Sequence, residues 1–459
     1  MLILLSTIKT ILMKKILKYG FLIIGILLVY VVYSNYPRLN IISGYSAKNM
    51  SSSVFVANRT LEVTDSQDNN FSPIDLAEDN VNLKDKSTEA SVYGFMKRKA
   101  IFREGLGSVL VVDDYDDNKE YLKPKRTKTE NNLPYPYGDG IQKDTIFNTV
   151  NYDNLKSVVD QSFDAENMSL KKTRAVLVIY KDQIIAEKYA EEFDKDSKML
   201  GWSMTKSITS AMIGVLNKQG KVSLNQDNLF EEWKNDNRSK ITLNNLLQMN
   251  SGLEWVEDYN TMSDVTKMLF LEKDMTKTQL DKPLVGEPDN SWNYSSGTTN
   301  LLSGFIRNQF DSHQEYLDFW YKELIDKIGM NSMLIETDLS GNYVGSSYGW
   351  ATARDWAKFG LLYLNKGNWN GEQILSENWV NYSVTATNNS NKGYGAQFWL
   401  NKGERYPSAP KDMYSCNGYQ GQRVFIIPSK DLVIVRMGLT ENSNFDFDNF
   451  LKGILNSIN

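Results

Sequence analysis

The sequence predicts a mixed α/β fold of the α+β kind: one antiparallel sheet flanked by helices, a helical region inserted in its middle, and a separate apolar helix at the N-terminus. Three observations predict it. Strand-like runs stand at both ends of residues 151–459, and helical periodicity fills the stretch between them. Residues 19–33 are apolar or aromatic throughout, apart from glycine, and three lysines precede them. Strands at both chain ends with helices between them point to one sheet covered by helical layers around a common core.

The N-terminal run comes first. Lys14, Lys15 and Lys18 before an apolar stretch fit the positive-inside rule, with the rest of the chain exported. Residues 1–36 therefore read as an uncleaved signal anchor, with a cleaved signal peptide as the alternative. No small-x-small cleavage site stands around residues 32–37, and no cysteine is near for lipid attachment. Met13-Lys-Lys resembles a conventional start, so residues 1–12 are expected to be an over-extended beginning. The expected location is the cytoplasmic membrane of a bacterium, with the protein facing the periplasm or exterior.

Residues 37–150 read as an N-terminal extension, a lid or spacer. Short apolar runs at 53–57 and 108–112 alternate with polar stretches at 113–121 and 123–132, and a Pro/Gly-rich turn follows at 134–140. Residues 151–459 have the texture of a compact domain. Strands are expected at 175–180 and 183–189 across Lys181-Asp182, a hairpin. A helix over 204–218 stops at Gly220. Further helices are expected at 241–252, 262–271, 297–310 and, after Thr352, 355–364. Strands at 422–427 and 432–437 joined by a turn at 428–431, then a helix at 446–455, complete the chain.

Composition excludes several functions. A net charge of -5 over 459 residues offers no basic surface for nucleic acid. One cysteine, Cys416, rules out an intrachain disulfide. One histidine, His313, rules out a histidine-rich zinc site. His313 lies in the polar stretch 311–315 and reads as a solvated side chain, so serine chemistry here is expected to run without histidine.

Three motifs carry chemistry. The pattern S-x-x-K occurs at Ser6/Lys9, Ser169/Lys172 and Ser203/Lys206, and only Ser203 opens a clear helix. Residues three apart at a helix start share a face, so Lys206 can reach the Ser203 hydroxyl. A lysine acts as a base once burial lowers its pKa, and the apolar run 208–216 supplies burial. Tyr294, in Trp-Asn-Tyr-Ser-Ser-Gly on a loop before a helix, is a phenol that can share a proton with a nearby lysine. Cys416-Asn-Gly-Tyr-Gln-Gly-Gln422 places two glycines beside a strand, where a backbone N–H paired with that of Ser203 could form an oxyanion hole.

In this order the motifs resemble the serine β-lactamase-like hydrolases, which include class C β-lactamases, D-Ala-D-Ala carboxypeptidases, esterases and 6-aminohexanoate-dimer hydrolases. The resemblance runs from about residue 150 to the C-terminus. It rests on Ser203-x-x-Lys206, Leu246-Leu-Gln-Met-Asn-Ser-Gly-Leu253, Tyr294-Ser-Ser296, the run 352–362, Asn370-Gly-Glu-Gln-Ile-Leu375 and Gly418-Tyr-Gln-Gly-Gln422. It implies a β-lactamase/transpeptidase-like fold with Ser203 as the acylated nucleophile, Lys206 as its activator and Tyr294 as a proton relay. It implies an oxyanion hole from the Ser203 and Tyr419 amides, and substrate contacts at Tyr259, Ser296, Gly418 and Gln420. No metal or organic cofactor is implied.

Two departures separate this chain from the penicillin-directed members. The usual Lys/His-Thr/Ser-Gly triplet reads Cys416-Asn-Gly418, which lacks the cation that helps bind a substrate carboxylate, and Ser296 stands where Asn is frequent. Both point to the esterase and 6-aminohexanoate-dimer hydrolase branch, acting on a small ester or amide. The alternatives are a penicillin-binding, D-amino-acid peptidase or β-lactamase activity on cell-wall material, and a non-catalytic ligand sensor on the same fold. The sequence gives no oligomeric state.

Overall fold

The computed structural model of the protein describes residues 2–112, 115, 120–128, 132–142, 145–166, 168–441 and 444–458. The polar stretches at 113–121 and 123–132 lie partly outside the described residues, as do the side chains of Ser6 and Lys9.

The central sheet is the predicted one. β5 (Thr173–Tyr180) and β6 (Gln183–Tyr189) form a hairpin whose two turn residues, Lys181 and Asp182, both have positive φ, at 50° and 59°. That conformation matches the twist of the flanking strands. β7 (Trp399–Leu400), β8 (Tyr414–Asn417), β9 (Arg423–Ile427) and β10 (Leu432–Gly438) complete an antiparallel sheet in the order β7-β8-β9-β10-β5-β6. The two ends of the domain thus meet where β10 pairs β5.

Both faces of the sheet are apolar and both are covered. Leu177, Ile179, Val424, Ile426, Val433 and Val435 face one core. α3 (Thr205–Lys218) and α8 (Ala353–Leu364) lie in that core. Gly360 brings α8 close, since a Cβ there would stand 2.8 Å from both Val424 and Val433. The alternate residues Val178, Phe425, Ile427 and Ile434 face a second core with α2 (Tyr152–Gln161) and α9 (Phe447–Leu455). Period-two alternation along each strand feeds the two layers.

The middle of the domain is helical. α4 (Leu243–Leu247), α5 (Asp264–Leu271), α6 (Ser296–Arg307) and α7 (His313–Trp320) lie there. α4 is much shorter than the 241–252 helix expected. Thr242 caps its start, and Met249 then takes φ 54°, a left-handed conformation that ends helical backbone.

The N-terminal region is one helix, α1 (Leu2–Phe55), with Pro37 inside it. It is long and apolar enough to cross a membrane. Among the described side chains, those from 12 to 38 are mostly exposed and those over 42–53 are buried. The apolar run expected at 53–57 is therefore the end of this helix. A four-stranded antiparallel sheet of β1 (Ala77–Asn82), β2 (Ser87–Val92), β3 (Phe95–Arg103) and β4 (Gly107–Leu110) packs on the buried part. Glu336, fully buried, ties the pieces together. It accepts hydrogen bonds from Lys48 and Ser52 of α1, the Ser108 amide of β4 and the Trp350 indole of the main body.

Candidate active site

The Ser203-x-x-Lys206 motif sits on a strained turn. Gly201 approaches the ring of Trp356 so closely that a Cβ would lie 2.2 Å from it. Trp202, the next residue, has φ 48°. A bulky residue in that region costs free energy and persists only where its surroundings hold it. Here Tyr45 of α1 stacks on the Trp202 ring at 6.0 Å, and Tyr419 meets it edge-on at 5.7 Å. Ser203 follows, and Lys206 lies in the first turn of α3 with 1% of its surface exposed.

Lys206 Nζ has three partners: Ser203 Oγ at 3.0 Å, Ser296 Oγ at 2.9 Å and the Ser346 carbonyl at 2.9 Å. Burial lowers its pKa to about 8, against a smaller opposing effect of the Glu257 carboxylate. The apolar stretch after Ser203 thus does what the sequence suggested.

Glu257 was visible in the sequence only as a neighbour of Tyr259. It lies between α4 and α5, and its carboxylate accepts from four donors. Ser296 Oγ and Tyr259 OH donate to Oε1, while the Ser296 amide and the Trp255 indole donate to Oε2. A carboxylate accepts only, so the Ser296 proton points at Glu257. Ser296 Oγ must then accept from Lys206, and the Ser346 carbonyl also accepts only. A neutral Lys206 has two hydrogens, both so committed, and its lone pair is left facing Ser203 Oγ. That is the arrangement a general base requires. The signal that could have found Glu257 is its spacing of two from Tyr259, which lets both groups meet at the mouth of α6.

Tyr294 completes the cluster. Lys206 Nζ lies 5.0 Å from the centre of its ring, and its phenol interacts with the Ser203 hydroxyl. Burial, reinforced by Glu257, raises the phenol well above its usual value, so it stays protonated at neutral pH. Tyr294 belongs to an aromatic wall with Trp292, Tyr394 and Trp399, whose ring centres lie 5.1–6.4 Å apart. Tyr259, stacked on Tyr419 at 5.8 Å and 17°, forms another aromatic surface, and both of its rings are more than a third exposed.

The glycine turn meets the turn that carries Ser203. A Cβ on Gly418 would lie 2.1 Å from the Gly201 carbonyl, so the end of β8 touches the turn that carries Ser203. The Tyr419 amide follows directly. Gln422 braces this turn by donating to the Tyr419 carbonyl and accepting from the Gly438 amide. The Arg423 guanidinium donates to the Gly418 and Gln422 carbonyls and stacks on Phe447 at 4.6 Å. Arg423 therefore shares a face with Phe425, the α9 side of the sheet. Cys416 pairs with Val424, lies on the opposite face and is buried, its thiol pushed up to about 12.

Ser203, Lys206, Tyr294, Ser296 and Tyr259 converge, and Gly418 and Tyr419 border them. Ser296 is fully buried beneath Lys206 rather than open to a substrate. The Gln420 side chain is 7% exposed and turned to a small internal cavity beside Tyr45 and Trp202. His313, expected to be solvated, is half-covered. It opens α7 inside a capping box of Ser312 and Glu315, stacks on Tyr316 at 5.7 Å and packs against Gly341. Among the described residues no group of three or more His, Cys, Asp or Glu converges as metal ligands would.

Comparison with known proteins agrees with this fold. A candidate 6-aminohexanoate-dimer hydrolase from Bacillus anthracis superimposes with TM-score 0.53 at 22% identity, covering 66% of this chain and 80% of its own. A family VIII carboxylesterase gives 0.53 at 14% identity, over 69% and 99%. A penicillin-binding protein homologue from Caulobacter crescentus gives 0.53 at 12% identity, over 69% and 99%. An uncharacterised protein of Alkalihalophilus pseudofirmus is 22% identical, over 62% of this chain and 91% of that one. The family model described as Beta-lactamase matches residues 171–450, well over half of the chain and the whole central sheet, so this chain belongs to the serine β-lactamase-like family of hydrolases.

Proposed function

We propose that the protein is an exported, membrane-anchored serine hydrolase that cleaves a neutral ester or linear amide through an acyl-enzyme on Ser203. The observation that carries this reading is the set of three partners around the buried Lys206 amine. With a pKa of about 8, about a tenth of the lysine is neutral at pH 7.

In the proposed reaction the Lys206 lone pair takes the Ser203 proton as Oγ attacks the substrate carbonyl carbon. The carbonyl π electrons move to oxygen, and the Ser203 and Tyr419 amides donate to that oxyanion. On collapse the bond to the leaving oxygen or nitrogen breaks. Tyr294 passes its proton to the leaving group and is reprotonated by the Lys206 ammonium. Water then repeats the sequence: Lys206 takes one of its protons, the hydroxide adds to the acyl carbon, and Ser203 leaves with a proton.

The substrate preference rests on what borders the site. A charge-assisted hydrogen bond to a substrate carboxylate contributes about 1.5–3 kcal/mol, or about one to two decades of discrimination. Neither Cys416 nor Asn417 offers it, and the Arg423 guanidinium, close enough to act on Tyr294, is engaged by the Gly418 and Gln422 carbonyls and by Phe447. Aromatic walls on Tyr294 and Tyr259 suit an apolar acyl or leaving group. The test is kcat/KM for short neutral esters, linear amides, benzylpenicillin and D-Ala-D-Ala peptides, on wild type and Ser203→Ala. The neutral substrates should exceed the two carboxylates, and Ser203→Ala should be inert yet folded. Preference for penicillin or the D-Ala peptide overturns the substrate class; an active Ser203→Ala overturns the nucleophile.

A further inference from the structure

One end of the N-terminal sheet carries a cluster of exposed apolar side chains where α1 emerges from the body. Tyr93 is 68% exposed, Phe95 57%, Leu76 40% and Tyr36 40%. They come from three places in the sequence. Tyr93 and Phe95 flank Gly94 at the β2–β3 turn, and Leu76 directly precedes Ala77, the partner of Val92 in the β1–β2 ladder. Tyr36 of α1 meets Phe95 edge-on at 6.4 Å. The hairpin is held on the helix by Ser43 Oγ, 2.6 Å from the Met96 carbonyl, and by Arg98, which donates to Asn40 Oδ1 at 2.7 Å.

The turn itself is unusual. Tyr93 has φ 51° and Met96 φ 48°, conformations that short polar residues or glycine adopt far more readily. A large aromatic kept at such a place, pointing into solvent, marks a site that uses its ring.

The position along α1 says what the rings meet. A bilayer core of about 30 Å takes about 20 helical residues. The uncharged run 19–33 is shorter than that, and Lys14, Lys15 and Lys18 mark its inner end. The helix continues unbroken through Tyr33 and Tyr36, so its extension on the outer side puts these two tyrosines at the boundary. Tyrosine and tryptophan concentrate at that depth because one end of the ring is apolar and the other wet. Phe95 stands at the height of Tyr36. Exposed Arg38 lies two residues from Tyr36 and suits a lipid phosphate, and exposed Lys97, two residues from Phe95, is paired with Glu89 at 3.5 Å.

We propose that the tip of the β2–β3 hairpin, with Leu76 and Tyr36 beside it, is a bilayer-contact surface that dips into the headgroup region of the membrane α1 crosses. This rests on the reading of α1 as an anchor. Such a second contact stops the body from swinging about a single helix. It also fixes the height of the active site, because Tyr45 of the same helix stacks on Trp202 beside the nucleophile.

The test uses the full chain in lipid vesicles, with an environment-sensitive fluorophore on a single introduced cysteine. Native Cys416 is buried with its thiol pushed up to about 12, so it stays silent. Tyr93→Cys reports the hairpin tip, and Phe95→Cys repeats the measurement from its other side. Leu83→Cys, 72% exposed at the opposite end of the same sheet, is the aqueous control, and Tyr30→Cys reports the anchor. Positions 93 and 95 should show blue-shifted emission quenched by headgroup-labelled lipid, position 30 quenching by mid-chain label, and position 83 neither. Aqueous emission at 93 and 95 with position 30 in lipid overturns the hairpin contact and leaves the anchor standing. Aqueous emission at position 30 overturns both, and equal shifts at 83 and 93 overturn the orientation.

Discussion

The proton on Ser296 decides which way the Lys206 lone pair points. Glu257 sets that proton by accepting it, and Lys206 must then donate to Ser296. Glu257→Gln removes both the charge and the all-acceptor character, because one of its two atoms becomes an NH₂ facing two donors. Two effects should follow. The maximal rate falls about tenfold or more, as a misdirected general base forfeits part of its contribution. The acidic limb of kcat/KM moves to lower pH. The sign comes from Lys206: its neutral form is the active one, activity rises through its pKa of about 8, and Glu257 is what pulls that value upward. A pH–rate series on both proteins checks this. A lower rate with an unmoved limb would mean that Glu257 only supports the loop. Of this cluster, Ser203, Lys206 and Tyr294 were legible in the sequence, since a serine and lysine one helical turn apart announce themselves. Glu257 was not, because it meets Ser296 from an irregular loop 39 positions away, where no periodicity points to a partner.

Among the elements, the end of β8 and the turn before α3 depend on each other. Gly418 is required by contact rather than by φ: its backbone is extended, and a Cβ would strike the Gly201 carbonyl at 2.1 Å. Gly418→Ala must push β8 and the Trp202 turn apart, which separates the Ser203 and Tyr419 amides. Loss of one oxyanion donor costs about 10²–10³ in kcat, and the variant should approach that while KM changes little. Steady-state kinetics with circular dichroism on the same sample checks it; near-wild-type kcat would remove the Tyr419 amide from the proposed hole. The β5–β6 and β9–β10 hairpins and the helices around Lys206 were legible because each carries its own period and turn residues. α4 was overread because the apolar spacing of Leu243, Leu246 and Leu247 runs on to Met249, and a run of side chains does not record that the backbone turns left-handed there. The short strand β8 was read only as a glycine-rich turn, since four residues are too few to display alternation.

Across the whole molecule, described residues of the 37–150 extension are tied to the hydrolase body by buried ion pairs. Lys48 and Glu336 meet at 2.6 Å, with side-chain exposures of 6% and 0%, and join α1 and β4 to the strand pair around Trp350. Arg174 of β5 likewise reaches Asp68 at 2.6 Å, and both side chains are buried. The sequence reading of a lid or spacer packed on the main domain named no contacts between the two, because nothing local reveals a charge whose partner lies 288 positions away. Burial lowers the pKa of Lys48, and Glu336 offsets that only in part. Removing one partner of such a pair strands the other in a low-dielectric interior, at a cost of about 3–5 kcal/mol. Lys48→Met keeps the stem and deletes the charge, so Glu336 loses its counter-ion while its three neutral donors remain. If extension and body form one cooperative unit, thermal unfolding of the detergent-solubilised chain is a single transition that Lys48→Met lowers by several degrees, with activity lost at the same temperature. If the extension is a separate module, the same substitution splits unfolding into two steps and leaves the temperature of activity loss where it was. Calorimetry run beside an esterase assay separates the two outcomes.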